Sequence, residues 1–190
     1  TELHHGAFRW IVDPLDGTLN YVRGMPSYSV SVALERSGEL LAGVVFDPML
    51  DECFKAASGQ GAFLNERPIH ASRRTSLAEA LVAISFSSNV GRGSIEVKRF
   101  IEALHTAQSV RRTGSAALNL CYVGAGRLDA YFASSIQPWD VAAGVLIARE
   151  SGAAITSITG RDFDLWRPDL AAAGTVELHA ELIQALSRAE

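Results

Sequence analysis

The sequence predicts an α+β fold in one compact unit, an antiparallel β-meander followed by alternating helices and strands. Short apolar runs between residues 8 and 70 are punctuated by Gly, Asn and Ser turns, the pattern of a meander. The character changes near residue 75, after which stretches of helical period alternate with short apolar strands. No repeat or linker interrupts the 190 residues, a length compatible with one large domain. The expected division is an antiparallel-sheet half over residues 1–80 and an α/β half over 81–190.

Thr1 to Gly6 is polar and reads as a loop, with the His4-His5 pair given no metal role. Phe8 to Val12 reads as a short strand that runs into Asp13-Pro14. Tyr28 to Glu35 and Leu40 to Phe46 form a hairpin about the turn Arg36-Ser37-Gly38-Glu39. Asp47-Pro48 breaks the second strand. Glu52 to Ala57, Ala62 to Leu64 and Arg67 to His70 continue the meander, with turns at Gly59-Gln60-Gly61 and Asn65-Glu66. Leu81 to Phe86 is an apolar strand. Ser94 to Thr106 is an amphipathic helix with Ile95, Val97, Phe100, Ile101 and Leu104 on its apolar face. Ser109 to Arg112 is strand-like, and Ser115 to Val123 is a helix stopped by Gly124-Ala125-Gly126. Leu128 to Phe132 is a strand, and Trp139 to Glu150 a helix that ends before Gly152. Ala153 to Thr156 and Asp169 to Gly174 supply strands, and Glu177 to Ser187 closes the chain as a helix.

Apolar residues make up 48% of the chain and charged residues 20%, which excludes disorder as its main state. The net charge of -4, with no basic run, argues against a nucleic-acid binder. The apolar stretches fall short of a membrane span, and no signal peptide opens the chain. Cys53 and Cys121 lie in apolar neighbourhoods without a CxxC pair, so they read as buried free thiols in a reducing cytoplasm.

The sharpest feature is Asp13-Pro14-Leu15-Asp16-Gly17-Thr18. Two carboxylates three apart converge on one cation if the chain turns between them, and Pro14 helps make that turn. The Leu15 carbonyl then faces the same point. This all-oxygen set suits Mg²⁺, Mn²⁺ or Ca²⁺. A helical turn starting at Gly17 and Thr18 adds backbone N–H groups for an anion. An ordinary Asp-Pro turn with an N-cap Asp satisfies the same residues. The second feature, Trp139-Asp140-Val141-Ala142-Ala143-Gly144, puts a carboxylate near a predicted helix start, where it is either an N-cap or a metal ligand. Its small residues allow another backbone or a ligand to approach closely.

Taken together, the two motifs closely resemble those of the inositol monophosphatase family, which are magnesium-dependent, lithium-sensitive phosphomonoesterases. The resemblance extends through Asn20, Gly24-Met25-Pro26, the turn Gly59-Gln60-Gly61-Ala62-Phe63-Leu64-Asn65 and the segment Arg112-Thr113-Gly114-Ser115-Ala116-Ala117. It implies a layered α/β/α/β/α sandwich of the inositol monophosphatase and fructose-1,6-bisphosphatase type. It implies Asp13, the Leu15 carbonyl, Asp16 and Asp140 as ligands of two or three Mg²⁺ ions, with Asp16 and Asp140 sharing the second. Gly17 and Thr18 match the phosphate cradle, the Thr18 hydroxyl a group that helps activate water, and Gly114, Ser115 and Ala116 the substrate loop. The implied mechanism is two-metal attack of water on phosphorus, without a covalent intermediate.

Two departures shape the expectations. The family carries a Glu from an upstream segment that completes the first metal site, whereas Glu2 is the sole acidic residue before Asp13. The chain is therefore expected to lack the family's N-terminal helices and first strands, and to be impaired alone. Ala133 occupies the position of the Glu that binds sugar hydroxyls in inositol-specific members. That weakens inositol phosphate as the preferred substrate. Histidinol phosphate, a sugar phosphate or a nucleotide 3′-phosphate stays open, with residues near Ala133 and Ser88 setting the choice. A non-catalytic interaction protein that keeps the fold is the competing reading. The expected partner is a small phosphomonoester, with no nucleic acid and no membrane, in a cytoplasmic protein and possible homodimer. Arg111-Arg112 reads as a solvated strand end in preference to a pair that steers an anionic substrate, Arg73-Arg74 as solvated, and His70 and His105 as lacking ligand partners. Trp10 and Trp139 read as core or site-wall residues.

Overall fold

In a computed structural model, which describes residues 7–87 and 89–189, β1 (Phe8–Asp16) is the edge of a six-stranded antiparallel sheet. The sheet continues through β2 (Ser29–Arg36), β3 (Glu39–Asp47), β4 (Glu52–Ala57), β5 (Ala62–Leu64) and β6 (Arg67–Ile69) in chain order. The expectations at Glu2, His4-His5 and Ser88 lie outside the described residues. The hairpins from β2 to β6 have short turns whose residues accept positive φ, whereas β1 and β2 are joined through residues 17–28. Asn65 and Glu66 sit at φ 45 and 66, which matches the twist of the flanking strands. Asn65 tightens that turn by accepting the Cys53 N–H at 2.8 Å.

After the meander, β7 (Leu81–Ser85) lies parallel to both β8 (Ser109–Arg111) and β9 (Ala130–Ala133). Antiparallel β11 (Leu170–Ala173) and β10 (Ala154–Thr156) complete a five-stranded sheet ordered β10-β11-β9-β7-β8. Between these strands run α2 (Ile95–Thr106), α3 (Ala116–Gly124) and α4 (Pro138–Glu150), and α5 (Val176–Ser187) follows β11. A short helix, α1 (Thr18–Val22), follows β1.

The core is stratified. Ile11, Ala33, Val45 and Phe54 of the first sheet pack on Ala117, Leu118, Ala143 and Leu146 of α3 and α4. The other side of that helical pair, with Leu120, Val141 and Val145, packs on Tyr131, Leu170 and Ala172 of the second sheet. Val82, Ile84 and Phe132 then meet Leu178, Leu182 and Leu186 of α5. The order is sheet, helices, sheet, helices, a sandwich that agrees with the layered fold the resemblance implies. The far face of the first sheet shows Trp10, Val12, Val30 and Val44 to solvent.

The small residues of α4 bring its backbone close to both neighbours. A Cβ on Gly43 of β3 would sit 3.0 Å from the Ala143 backbone, and one on Gly144 only 2.7 Å from Leu120. So the close approach at Ala142-Ala143-Gly144 is made by protein. Trp10 and Trp139 are corrected as core residues, because they are 68% and 46% exposed. Cys121 is buried and Cys53 half-buried, and both are free thiols. No described helix is long and apolar enough to cross a membrane.

Candidate functional site

Ile11 and Asp13 lie on the inner side of β1, the side that faces the helices. In a regular strand, Asp16 would point the opposite way, since residues three apart differ in parity. The register shifts here: Asp13 opposes Ser31 and Asp16 opposes Ser29, so three steps on β1 match two on β2. This one-residue bulge returns Asp16 to the face of Asp13. Pro14 lies within it, where its missing N–H costs the ladder nothing. The strand therefore runs on to Asp16, a correction to the reading that it gives way to a turn at Asp13-Pro14.

Gly17 follows at φ 82, and a Cβ there would lie 2.8 Å from the Ser27 carbonyl oxygen. That backbone reversal starts α1. The Thr18 hydroxyl donates to the Leu15 carbonyl at 2.8 Å, and Asp13 accepts the Leu15 N–H at 3.0 Å. Buried Asn20 donates from Nδ2 to the carbonyls of Ser27 at 2.7 Å and Thr113 at 2.8 Å. It thereby ties α1 to the segment 113–116. Gly114 has φ 91, and a Cβ on it would come 2.7 Å from Asn20 Nδ2. The Thr113 hydroxyl in turn donates to Asn119 Oδ1 at 2.8 Å.

Asp16 is only 6% exposed and is surrounded by donors. Its Oδ2 accepts the hydroxyls of Ser29 (3.3 Å) and Ser115, and the Ala117 N–H at 3.1 Å. Its Oδ1 accepts the Ala116 N–H at 3.3 Å. Ser115 is also the N-cap of α3, accepting the Leu118 N–H at 3.2 Å. The first turn of α3 thus spends its unpaired N–H groups on the carboxylate. Burial still dominates. It pushes the Asp16 carboxyl up to about 6, with neighbouring Asp13 adding to the rise and the hydrogen bonds from Ser115 and Ala117 opposing it.

Asp140 is the third residue of α4, with Gln137 as the N-cap, which corrects the N-cap reading of Asp140. Its Oδ2 accepts the Gln137 N–H at 2.7 Å in a capping box. Burial raises its carboxyl above the ordinary range, the Gln137 bond opposes, and Asp13 adds. Carboxylate oxygens of Asp13, Asp16 and Asp140 all lie within 4.8 Å of one another. Three anions so close, two of them held above the ordinary carboxylate range, form a site that a cation relieves. The oxygen-only set fits a hard divalent metal.

Asp16 and Asp140 open onto a cavity of about 350 Å³. Gly114 and Ala116 line it, whereas Ser115 is fully buried and serves Asp16 instead. Leu19, Asn20 and Met25 contribute from α1 and its exit. Ser85 and Phe86 come from the end of β7, Arg112 and Thr113 from the end of β8, and Ile136 from beyond β9. Those are the carboxyl ends of the three parallel strands, the place where sheets of this kind leave a crevice. That topological rule is the signal that finds Phe86 and Arg112. Arg112 is exposed just past the end of β8, in keeping with its reading as a solvated strand end, and it also lines the cavity, with its guanidinium 4.4 Å above the Phe86 ring. Ala133, expected on the wall facing the substrate's hydroxyls, is fully buried, and Ile136 lines the cavity from that segment.

A family model described as "Inositol monophosphatase family" matches residues 1–190. "Nus factor SuhB" of Xylella fastidiosa (strain Temecula1 / ATCC 700964) is 46% identical over 154 residues, 80% of this chain and 56% of that protein. "Inositol-1-monophosphatase" of Rhizobium meliloti (strain 1021) is 44% identical over 158 residues, 82% of this chain and 59% of that protein. The chain thus spans less than two thirds of the length of these relatives. The solved inositol monophosphatase of Anabaena (Nostoc) sp. PCC 7120 superposes with a TM-score of 0.92 at 36% identity, over 98% of this chain and 74% of that one. SaIMPase-II, solved with inositol monophosphate bound, superposes with a TM-score of 0.85 at 30% identity, over 97% of this chain and 72% of that one.

Proposed function

This chain belongs to the inositol monophosphatase family, and from that premise we propose that the protein hydrolyses small phosphate monoesters with Mg²⁺ held by Asp13, Asp16, Asp140 and the Leu15 carbonyl. The observation that carries the reading is the convergence of three carboxylates within 4.8 Å, two of them on the wall of a cavity of about 350 Å³. Two or three Mg²⁺ ions there would supply an activated water and neutralise charge on phosphate and leaving alkoxide.

The chain's own groups orient the rest. Ser29, Ser115 and the first N–H groups of α3 hold Asp16 in one rotamer, aimed by four donors. Gln137 does the same for Asp140. The backbone at Gly17 and Thr18 is placed beside Asp16 by the αL turn, where its N–H groups serve the non-bridging oxygens. The Thr18 hydroxyl, fixed on Leu15 O, sits beside the same metal ligands and takes the role in water activation that the resemblance implies. Gly114 and Ala116 leave room for the alcohol portion.

SaIMPase-II binds inositol monophosphate in one structure and 2′AMP in another, which supports a small phosphomonoester as substrate here. Ala133 brings no carboxylate and Ile136 is apolar, so the segment before α4 offers no acidic acceptor to sugar hydroxyls. A broad alcohol range follows, with inositol 1-phosphate not strongly preferred. The relative named Nus factor SuhB supports a second reading, an interaction protein. Retention of three costly clustered carboxylates favours catalysis over it.

The test is phosphate release from a panel of monoesters with Mg²⁺ and with EDTA. Mg²⁺-dependent turnover that falls at least ~10²-fold in Asp13→Asn and in Asp140→Asn is expected. Turnover that survives full chelation would refute the reading.

A further inference from the structure

The cavity holds one feature that phosphate hydrolysis itself does not use. Among its described lining residues Arg112 is the only cation. Its guanidinium lies 4.4 Å from the centroid of Phe86, and Nη2 donates to the Phe86 carbonyl at 3.0 Å. These contacts fix the plane of the guanidinium while occupying one of its five N–H donors. Among the described residues it pairs with neither Asp16 nor Asp140 nor any other carboxylate. An arginine that merely neutralised the acidic cluster would sit against it. This one, exposed at the mouth of the cavity, stacks on an aromatic ring instead and has no carboxylate partner among the described residues.

Resting on the phosphatase reading above, we infer that Arg112 is a specificity-determining residue that binds a carboxylate on the alcohol portion of the substrate. The preferred substrates are then small phosphorylated hydroxy acids. The reacting phosphate occupies the end of the cavity made by Asp16, Asp140 and the Gly17 turn. The alcohol carbons extend past Gly114 and Ala116, which carry little or no side chain. The wall they reach is Phe86 with Arg112. A planar carboxylate matches the planar fork of a guanidinium, and the stacking on Phe86 has already fixed that fork's orientation. A cavity of about 350 Å³ suits a compact molecule of this kind.

The test compares 3-phosphoglycerate with glycerol 3-phosphate, which share a three-carbon chain and differ in a carboxylate against a hydroxymethyl. The ratio of their kcat/KM values is measured with Mg²⁺ in the unmodified protein, in Arg112→Gln and in Arg112→Lys. Calorimetric binding of both compounds with Ca²⁺ in place of Mg²⁺ is measured in parallel. We expect the unmodified protein to favour 3-phosphoglycerate by ~10-fold or more, the scale of one charge-assisted pair at a partly exposed site. Arg112→Gln should bring the ratio close to one, and Arg112→Lys, which keeps the charge and loses the fork, should fall between. A ratio unchanged within about twofold in Arg112→Gln would overturn the assignment while leaving the phosphatase reading intact. Binding preference that depends on Arg112 without turnover of either compound would refute the phosphatase reading and support the carboxylate site. No preference in rate or in binding in the unmodified protein overturns the assignment outright.

Discussion

Replacing Asp16 by asparagine should stabilise the metal-free protein while abolishing Mg²⁺-dependent turnover. The carboxylate is 6% exposed and has Asp13 as a neighbour. Burial raises it from 3.8 to about 6, which corresponds to about 3 kcal/mol of penalty on the folded anion. The pH dependence follows from linkage. Below about 4, both folded and unfolded chains hold the proton and the penalty is absent. Between there and about 6, the folded chain keeps a proton that the unfolded chain has released, so stability falls as pH rises. Above about 6 the penalty is complete. Asparagine carries no charge to bury, but it is not a perfect replacement. Its oxygen can take the three donors at Oδ2, while its NH₂ would face the Ala116 N–H, costing about 1 kcal/mol. The net gain at pH 8 should therefore be about 2 kcal/mol, and by pH 4, where only the mismatch at Ala116 remains, it should turn into a loss of up to about 1 kcal/mol. Urea unfolding in EDTA at the two pH values measures it, with phosphate release recorded on the same samples. A variant that loses 1 kcal/mol or more at pH 8 would show that the donors around Asp16 outweigh its burial.

Three further outcomes are expected. Asn20→Ala strands the carbonyls of Ser27 and Thr113 and should cost about 2 kcal/mol in urea unfolding; because it also frees α1 from segment 113–116, kcat/KM should fall further than KM alone accounts for, and unchanged kinetics would remove Asn20 from the positioning of the site. Gly114→Ala puts a Cβ 2.7 Å from Asn20 Nδ2 at φ 91, so it should destabilise by about 1–3 kcal/mol, and a thermal melt that matches the unmodified protein would contradict that packing. Saturating Mg²⁺ should raise Tm more at pH 8 than at pH 5, since a proton on Asp16 competes with the ion; equal rises would take Asp16 out of the metal site.

The sequence made the meander legible because its turns carry residues that accept unusual backbone angles, as at Asn65-Glu66 and at Ser37-Gly38. It made the helices legible because apolar residues recur at helical spacing between small or capping residues. What it concealed lies where one atom's fate depends on a distant segment. Asp13 and Asp16 look like a pair in the motif, but their convergence depends on a bulge, and a bulge is a statement about β2 as much as β1. Ser115 looks like a loop residue for substrate, yet its hydroxyl is turned to Asp16, 99 residues away, because the same side chain caps α3. Arg112 reads as a solvated strand end and is exposed, but the sequence does not show that β8 lies parallel to β7, which puts that strand end beside Phe86 and the cavity.

These hidden relations share a physical cause. Asp16 is costly to bury, and its cost is partly offset by groups from three segments: β2 through Ser29, the α3 cap through Ser115, and the first turn of α3 through Ala116 and Ala117. Each donor also has a structural duty of its own, in a strand or at a helix end. The surroundings of the carboxylate cluster are therefore built from backbone and cap groups that the fold had to place anyway, and only the carboxylates themselves are visible in a linear reading. This explains why the three clustered carboxylates can be picked out from the motifs while the groups that aim them cannot. It also means that the site cannot be moved without unpicking the start of α3, so rate and stability should respond together to changes at Ser115 but in opposite directions to changes at Asp16.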